Sequence, residues 1–385
     1  MNAKILLISP YFYPHKGGSQ QYAEELHATL IKRYPGVSVD VLTYNTDNAP
    51  SIEKYRNFTI YRVPCYQILK GQFALPNYFA LTKTLKKLLK KNKYMLINSH
   101  TRFFETSWWT PLVAKYAGTK SVLTDHCAHH PTHTSRIVTE IAKITDTLIT
   151  PLLDRLYDHV TVTNLATKEF VKSIGITIPI LIYGGVDTAF FTPRKRTSPR
   201  LLPGIEKKFK KNDILVTFVG RMISSKGPDL ALASAKKIIK KYPNIHFVFV
   251  GDGPLYKKLS RTKNNQIYFL GARFKKEIAQ IMANSDILLH PSTHHEGFPN
   301  VLLEAASSGC AIIATDRGGT KEIISDSKNG LLVDADVKEI EENILDLIKS
   351  PKLRASLGTQ ARKDTQKRYD WKKIADQYAT FIQKI

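Results

Sequence analysis

Two cations, Arg221 and Lys226, stand five residues apart in the stretch Gly220-Arg221-Met222-Ile223-Ser224-Ser225-Lys226-Gly227, where the strand-like run Leu215–Val219 ends and a helical pattern begins. A helix N-terminus attracts anions through its unpaired N–H groups, and a guanidinium and an ammonium beside it would neutralise a diphosphate. Taken alone, the stretch reads equally well as a solvated basic loop. A second cluster, His295-Glu296-Gly297-Phe298-Pro299-Asn300-Val301-Leu302-Leu303-Glu304, follows another strand-like run that ends in Pro291-Ser292. Pro299 suits the first turn of a helix, which puts Glu304 about one and a half turns inside it and leaves Glu296 in the loop. The two carboxylates can then address different parts of one extended ligand.

Other polar groups are more ambiguous. Gly17 and Gly18 fall in the first strand-to-helix loop, where the missing side chains either let backbone approach a phosphate or merely make a flexible turn. Asp125-His126-Cys127-Ala128-His129-His130-Pro131-Thr132-His133 repeats imidazoles at metal-like intervals, but Pro131 interrupts any helical face and Cys127 lies beside the histidines rather than across from them. Asp334-Ala335-Asp336 resembles the acid pairs that hold divalent ions, yet it sits between a strand and a helix, where an N-cap explains it better. No essential metal is expected.

Elements to position these groups are legible along the chain. Strand-like runs at Lys4 to Ser9, Val37–Thr43, Phe58–Val63, Tyr94–Ser99, Lys120–Thr124, His159–Thr163 and Ile178–Ile182 alternate with helix-length intervals, the pattern of a mostly parallel, doubly wound sheet. The periodicity stops between Thr192 and Asn212, where prolines mix with Arg and Lys. A second alternation follows, with strands at Asp213–Val219, Ile245–Val250, Gln266–Leu270, Asp286–His290 and Ala311–Thr315. The expected organisation is a Rossmann-like domain over residues 1–190, a basic linker over 191–212, and a second Rossmann-like domain over 213–368. A final helix over 369–385 carries Trp371, Ile374, Tyr378 and Phe381 as an apolar stripe that returns to the first domain. Such sheets bind ligands beyond the carboxyl ends of their strands, so two of them with parallel sheets facing each other place a site in an interdomain cleft.

Length and composition agree with this reading. At 385 residues the chain exceeds what one core usually supports, and 43% hydrophobic content is that of a folded globular protein. A formal charge of +24 points to polyanionic neighbours: nucleic acid, anionic lipid or phosphorylated substrates. The three cysteines, Cys65, Cys127 and Cys310, show no disulfide-like spacing and suit a reducing, cytoplasmic address. The first nine residues read as a strand rather than a signal peptide, and no apolar run approaches the roughly 18–20 residues needed to cross a bilayer.

The two clusters, together with Gly251-Asp252-Gly253-Pro254, Thr315-Asp316-Arg317-Gly318-Gly319 and Glu322, agree in order and spacing with glycosyltransferase family 4, which the chain resembles over essentially the whole second domain. In the first domain the resemblance extends through Pro14-His15-Lys16-Gly17-Gly18, Asn98-Ser99-His100 and Gly184-Gly185-Val186-Asp187. It implies an α/β GT-B fold and retaining transfer of a hexose-type sugar from a nucleotide diphosphate sugar. Arg221 and Lys226 match the diphosphate-binding pair, Glu304 the ribose-binding acid, and Glu296 the acid that contacts the donor sugar. Gly297, Phe298, Asn300 and Val301 match backbone donors to sugar and phosphate, and Gly17 and Gly18 a close backbone approach in the first domain. Gly251, Gly253 and Arg273 fall in the base-binding region, and His126 matches a histidine facing the donor sugar. The chain departs from the pattern at Gly184, usually Asn, at Ala311, often Pro, and at Arg273, usually small or apolar. The last departure leaves the nucleotide open among UDP, GDP and ADP.

The stretch from Leu81 to Lys91 places leucines at helical spacing opposite Lys83, Lys86, Lys87, Lys90 and Lys91. Its leucines are expected to pack on the sheet, while the lysines and an aromatic loop from Tyr66 to Phe79 form a patch for an anionic membrane. The expected partners are a nucleotide-sugar donor, a glycan or lipid-linked acceptor such as a cell-envelope glycan, and peripherally the cytoplasmic face of a membrane. Two other classes share the architecture or the charge: nucleotide-sugar 2-epimerases of GT-B fold and non-catalytic polyanion-binding proteins. The Arg221–Lys226 and Glu296–Glu304 spacings favour transfer over the first. The paired acids and the lack of any nucleic-acid-binding motif argue against the second.

Overall fold

The computed structural model describes residues 1–15, 17–68, 73–131, 135–193, 202–205, 209–210, 212–294 and 297–385. The chain folds as two compact units, Met1–Gly184 with Trp371–Ile385, and Gly185–Asp370.

The first unit contains strands β1 (Ala3–Ile8), β2 (Val37–Tyr44), β3 (Ile52–Tyr55), β4 (Phe58–Val63), β5 (Cys65–Ile68), β6 (Phe73–Pro76), β7 (Leu96–His100), β8 (Lys120–Asp125), β9 (His159–Val162) and β10 (Pro179–Leu181). Eight of them form one sheet in the order β10-β9-β8-β7-β1-β2-β4-β3. Its neighbours pair in parallel except β3, which pairs antiparallel with β4 at the edge. Central strands such as β1 are buried on both faces, which is why they read as near-continuous apolar runs.

Helix Gly18–Arg33 and the final helix, Trp371–Lys384, cover one face of this sheet. Trp371, Ile374, Tyr378 and Ile382 join Leu26, Leu30, Ile5 and Leu7 in a single core there. Helix Tyr78–Lys91, N-capped by the Asn77 side chain, buries Leu81, Leu85 and Leu88 against the other face.

Three expectations are corrected. The sheet gains an edge strand, β3, beyond the expected set, because Ile52-Glu53-Lys54-Tyr55 is too short and too charged to stand out. Where it is described, the aromatic stretch from Tyr66 to Phe79 is not a loop: β5 and β6 pair antiparallel, and Tyr78 and Phe79 open the following helix, while residues 69–72 lie outside the described residues. The stretch 191–212 is also no free linker where it is described. Leu202 and Phe209 pack with Leu215, Val248 and Ile281 in a core of the second unit, which spans Gly185–Asp370 rather than the expected 213–368. The apolar residues among the basic ones anchor that segment.

The second unit has a six-stranded, wholly parallel sheet of β11 (Ile214–Val219), β12 (Ile245–Val250), β13 (Ile267–Phe269), β14 (Ile287–His290), β15 (Ala311–Thr315) and β16 (Leu331–Val333), in the order β13-β12-β11-β14-β15-β16. The strand order reverses direction between β11 and β14, as it does between β1 and β7 in the first unit. Each reversal opens a crevice beyond the strand ends, the place where doubly wound sheets bind ligands. No described helix is long and apolar enough to cross a membrane.

Candidate active site

The sequence motifs of the second unit converge on its reversal point. Beyond β11 the chain enters the loop of Arg221 and Lys226, and beyond β14 it enters the segment leading to Glu304. Met222, fully buried in the core, pins the first loop, with Arg221 exposed beside it. Ser224–Lys226 form one 3₁₀ turn that ends at Gly227, whose φ of 67° starts helix Pro228–Ile238 with proline in its first turn. The two loops are tied together: the Ser225 carbonyl accepts from Ser292 Oγ (2.8 Å) and from the Thr293 amide (3.0 Å). The Thr315 hydroxyl, at the end of β15, donates to the Ser292 carbonyl at 2.6 Å.

Glycines make this convergence possible by leaving out a Cβ. One added at Gly227 would lie 2.0 Å from the Pro291 carbonyl oxygen, and one at Gly251 would lie 1.9 Å from that of Gly220. At Gly319 it would meet the Gly297 carbonyl oxygen at 2.0 Å, which joins the β15 loop to the Gly297-Phe298 segment. Gly251 and Gly253 therefore act on the site by letting the loop after β12 press backbone to backbone on the Arg221 loop. The Met222 amide donates to the Asp252 carbonyl at 2.8 Å, and the Leu255 amide to the Met222 carbonyl at 2.9 Å.

Pro299 is the N-cap rather than the first helical residue of Asn300–Ser307. Asn300 and Val301 thus present the N–H groups that precede the first helical bond, from the Leu302 amide to the Pro299 carbonyl (3.0 Å), and Glu304 lies half-buried one turn on. Phe298 packs edge-on against Tyr369 at 5.6 Å, and the Tyr369 hydroxyl donates to the Glu322 carbonyl at 2.6 Å. Arg273, in the loop after β13, is engaged by Glu277 at 3.2 Å. Its guanidinium also lies against Gly204, where an added Cβ would come within 2.5 Å of it, while the adjacent Gly271 carbonyl accepts from the Gly251 amide at 2.8 Å. Glu296 lies outside the described residues.

In the first unit Gly17 is the N-cap of helix Gly18–Arg33, and its φ of −167° is ordinary extended backbone, so no left-handed turn requires glycine there. One turn into that helix Tyr22 packs edge-on against His126 at 4.9 Å, so His126 and the start of the helix share one edge of the sheet. A polar relay runs behind His126. Asn98 Nδ2 donates to the Val122 carbonyl (2.9 Å), which fixes Asn98 Oδ1 as the acceptor facing His100 Nε2 at 3.0 Å. His100 Nε2 therefore carries the proton, its Nδ1 accepts from His126 Nε2–H at 2.9 Å, and His126 Nδ1 is left with a lone pair. Burial pushes His126 down to about 4 and holds His100 well below its ordinary value, with His126 itself adding to the effect on His100. Both rings are neutral at neutral pH.

The described histidines of the histidine-rich run take separate partners. His126 pairs with His100, His129 Nδ1 bonds the neighbouring His130 carbonyl (2.7 Å), and His130 Nδ1 bonds Asp146 (2.7 Å), while His133 lies outside the described residues. Among the described residues, no three His, Cys, Asp or Glu side chains group as metal ligands. Asp336 instead caps a helix, accepting from the Lys338 and Glu339 amides at 2.9 and 3.0 Å, and these bonds lower its pKa.

One feature of this edge has no counterpart among the sequence motifs. Arg102, only 1% exposed, forks onto both oxygens of Asp146 at 2.8 Å, ion-pairs Asp125, and donates to the Cys127 and His129 carbonyls. Asp125 Oδ1 in turn accepts from the His126 amide at 2.9 Å. Arg102 thus fixes the loop that carries His126. Its partners lie 23 and 44 residues away in the chain, so no local spacing announces them.

The comparisons with known proteins agree with this architecture. A family model described as Glycosyltransferase Family 4 matches residues 16–190, and one described as Glycosyl transferases group 1 matches residues 205–364. An uncharacterized glycosyltransferase of Methanocaldococcus jannaschii is 28% identical over 99% of this chain and 98% of its own. The GPI3 subunit of the phosphatidylinositol N-acetylglucosaminyltransferase of Saccharomyces cerevisiae is 24% identical over 97% of this chain and 81% of its own. Among solved structures, HepE from Anabaena in complex with UDP superposes with a TM-score of 0.76 at 22% identity, covering 99% of this chain and 100% of that one. Sucrose-phosphate synthase from Thermosynechococcus elongatus does so with 0.74 at 20%, covering 100% and 99%. At these identities the structural likeness is one of fold, and the fold is GT-B. The chain belongs to the glycosyltransferases of family 4.

Proposed function

We propose that the protein is a retaining glycosyltransferase that moves a hexose-type sugar from a nucleotide diphosphate sugar to a lipid-linked or cell-envelope glycan acceptor. The observation that carries this reading is the loop holding Arg221 and Lys226 at the reversal point between β11 and β14, braced by the loops that follow β12 and β14. Two cations on a fixed backbone stabilise the charge that develops on the departing diphosphate. With no protein nucleophile in the motif, retention follows if the acceptor oxygen attacks the face from which the diphosphate leaves. As the bond from sugar C1 to the phosphate oxygen breaks, the acceptor O–H proton passes to that oxygen.

Glu304 binds the ribose hydroxyls and Glu296 the sugar, while Gly297, Phe298, Asn300 and Val301 offer N–H donors. The neutral His126 accepts from a sugar hydroxyl through Nδ1. A nucleotide donor is supported by the complex of HepE with UDP, and a lipid acceptor by relatives named for phosphatidylinositol. We propose no essential metal, since Asp336 is already occupied as a helix cap.

The test is transfer from UDP-, GDP- and ADP-sugars to lipid-linked acceptors in a chelator, with the product anomer read by NMR. Retention of the donor's configuration without added metal supports the reading. Inversion would remove same-face attack, and loss of activity restored by Mg²⁺ or Mn²⁺ would remove the metal-free mechanism.

A further inference from the structure

Helix Arg136–Leu156 is amphipathic in the wrong sense for a helix that packs on a sheet. Asp146, Thr150 and Leu153 are its buried residues, while Ile137, Ile141, Ile144, Leu148 and Leu152 are 53–74% exposed. Spaced by three or four residues over four turns, these five form one continuous outward stripe. Beside it, helix Glu105–Tyr116 exposes Trp108, Leu112 and Tyr116 at the same kind of spacing. A groove lined by Trp108, Ala142, Thr145 and Ile149 places the two helices side by side.

Both belong to the layer that holds the basic helix Tyr78–Lys91. Trp109, Val113 and Ala114 share a core with Leu81, Leu85, Leu88 and the β1 residues Leu6 and Ile8. Ser99, in register with Ile8 and with Leu123, bonds the Tyr157 hydroxyl at 2.6 Å, and that hydroxyl donates to the Ser107 carbonyl at 2.8 Å. These three helices therefore lie on the same face of the first unit's sheet. Their solvent side combines two apolar stripes with the exposed Lys83, Lys86, Lys87, Lys90 and Lys91, flanked by Lys115, Arg136 and Lys143.

We propose that this three-helix layer docks on an anionic lipid bilayer, with the stripe of helix Arg136–Leu156 entering the headgroup region and the lysines lying on the lipid phosphates. Exposed apolar residues with aromatic side chains and a cationic flank are what an interfacial helix needs, and neither signal alone anchors a protein firmly. A second copy of the chain is a poorer occupant, because a symmetric contact would bring two lysine rows together on a protein of charge +24. The orientation serves the proposed reaction: the groove also includes Pro131 and Arg102, which holds the Cys127 and His129 carbonyls, so a lipid-borne acceptor is brought to the loop that carries His126. This role in delivery rests on the glycosyltransfer reading; the docking itself does not.

The test is sedimentation with vesicles of acidic phospholipid, without donor or acceptor, for the parent, Ile144→Glu/Leu148→Glu, and the five lysines replaced by Gln. The parent binds. The double Glu variant binds at least ten-fold more weakly at both low and physiological salt, and the lysine variant loses the salt dependence along with affinity. All three keep the nucleotide-induced thermal shift of the parent, which shows that the second unit is intact. No binding by the parent at low salt, or undiminished binding by the double Glu variant, overturns the proposal. A parent dimer that the double Glu variant breaks without losing vesicle binding assigns the face to a second copy instead. A missing nucleotide shift in the parent counts against the donor reading and leaves the vesicle result standing.

Discussion

The two units share an architecture but hold their ligand edges by different means. In the second unit the loops are knitted through backbone. Gly227, Gly251 and Gly319 leave no room for a Cβ, and the Ser225, Met222 and Gly271 carbonyls accept from neighbouring loops. In the first unit the edge is built from side chains: Arg102 between Asp125 and Asp146, and Asn98 behind His100 and His126. Backbone knitting fixes positions without placing any ionisable group in the interior. Side-chain networks set tautomers and charge states as well as positions, and they bring dependence on pH and on single residues.

The largest effect expected from breaking this difference lies in the first unit. Arg102→Met leaves two buried carboxylates without their cation and should cost about 3–5 kcal/mol in denaturant unfolding. A cost under about 1 kcal/mol would mean that the network holds nothing in place. In the second unit the chemistry rather than the fold is exposed to mutation. Arg221→Ala or Lys226→Ala should lower turnover by about 10² or more at nearly unchanged stability. Wild-type kinetics in either variant would remove that residue from the reaction.

Gly227→Ala sharpens the backbone side of the comparison. It forces a Cβ onto the Pro291 carbonyl at a φ of 67°, so a loss of roughly 1–3 kcal/mol in thermal unfolding should accompany weaker nucleotide binding. If binding is unaffected, the loops do not need to touch.

The smallest effect is a pH dependence in the side-chain-built unit. His27 is fully buried, and burial lowers it from 6.5 to about 4 in the folded protein. Its folded pKa lies below its unfolded one, so its contribution to stability is complete above about pH 6.5 and is lost as the pH falls towards 4. At pH 5 the loss should be about 1–2 kcal/mol, and His27→Gln should remove that part of the slope in melts from pH 7 to 5.

The same difference decides what the sequence reveals. The second unit's site is carried by contiguous motifs after strands, so the order of residues alone places Arg221, Lys226, Gly227 and Glu304 on their loops and helix. The strand runs of both sheets are legible for the same local reason, since a buried parallel strand is an apolar run. What stays hidden is non-local or inverted. Arg102 finds its partners across the sheet, and the short charged β3 becomes a strand only through its pairing with β4. Helix Arg136–Leu156 has apolar residues at helical spacing that any pattern would turn inward, whereas Asp146 and Thr150 take the inner positions because Arg102 and its network are there.

The central claim, that the second unit alone supplies the diphosphate site through its backbone-braced cation pair, is tested most directly by thermal shift with UDP, GDP and ADP. At 100 times its dissociation constant the cognate nucleotide should stabilise the parent by about 2.7 kcal/mol. The account predicts that Arg102→Met melts lower but keeps that shift, whereas Arg221→Ala with Lys226→Ala melts like the parent and loses it. A shift that survives in the double variant, or no shift with any of the three nucleotides, would contradict it.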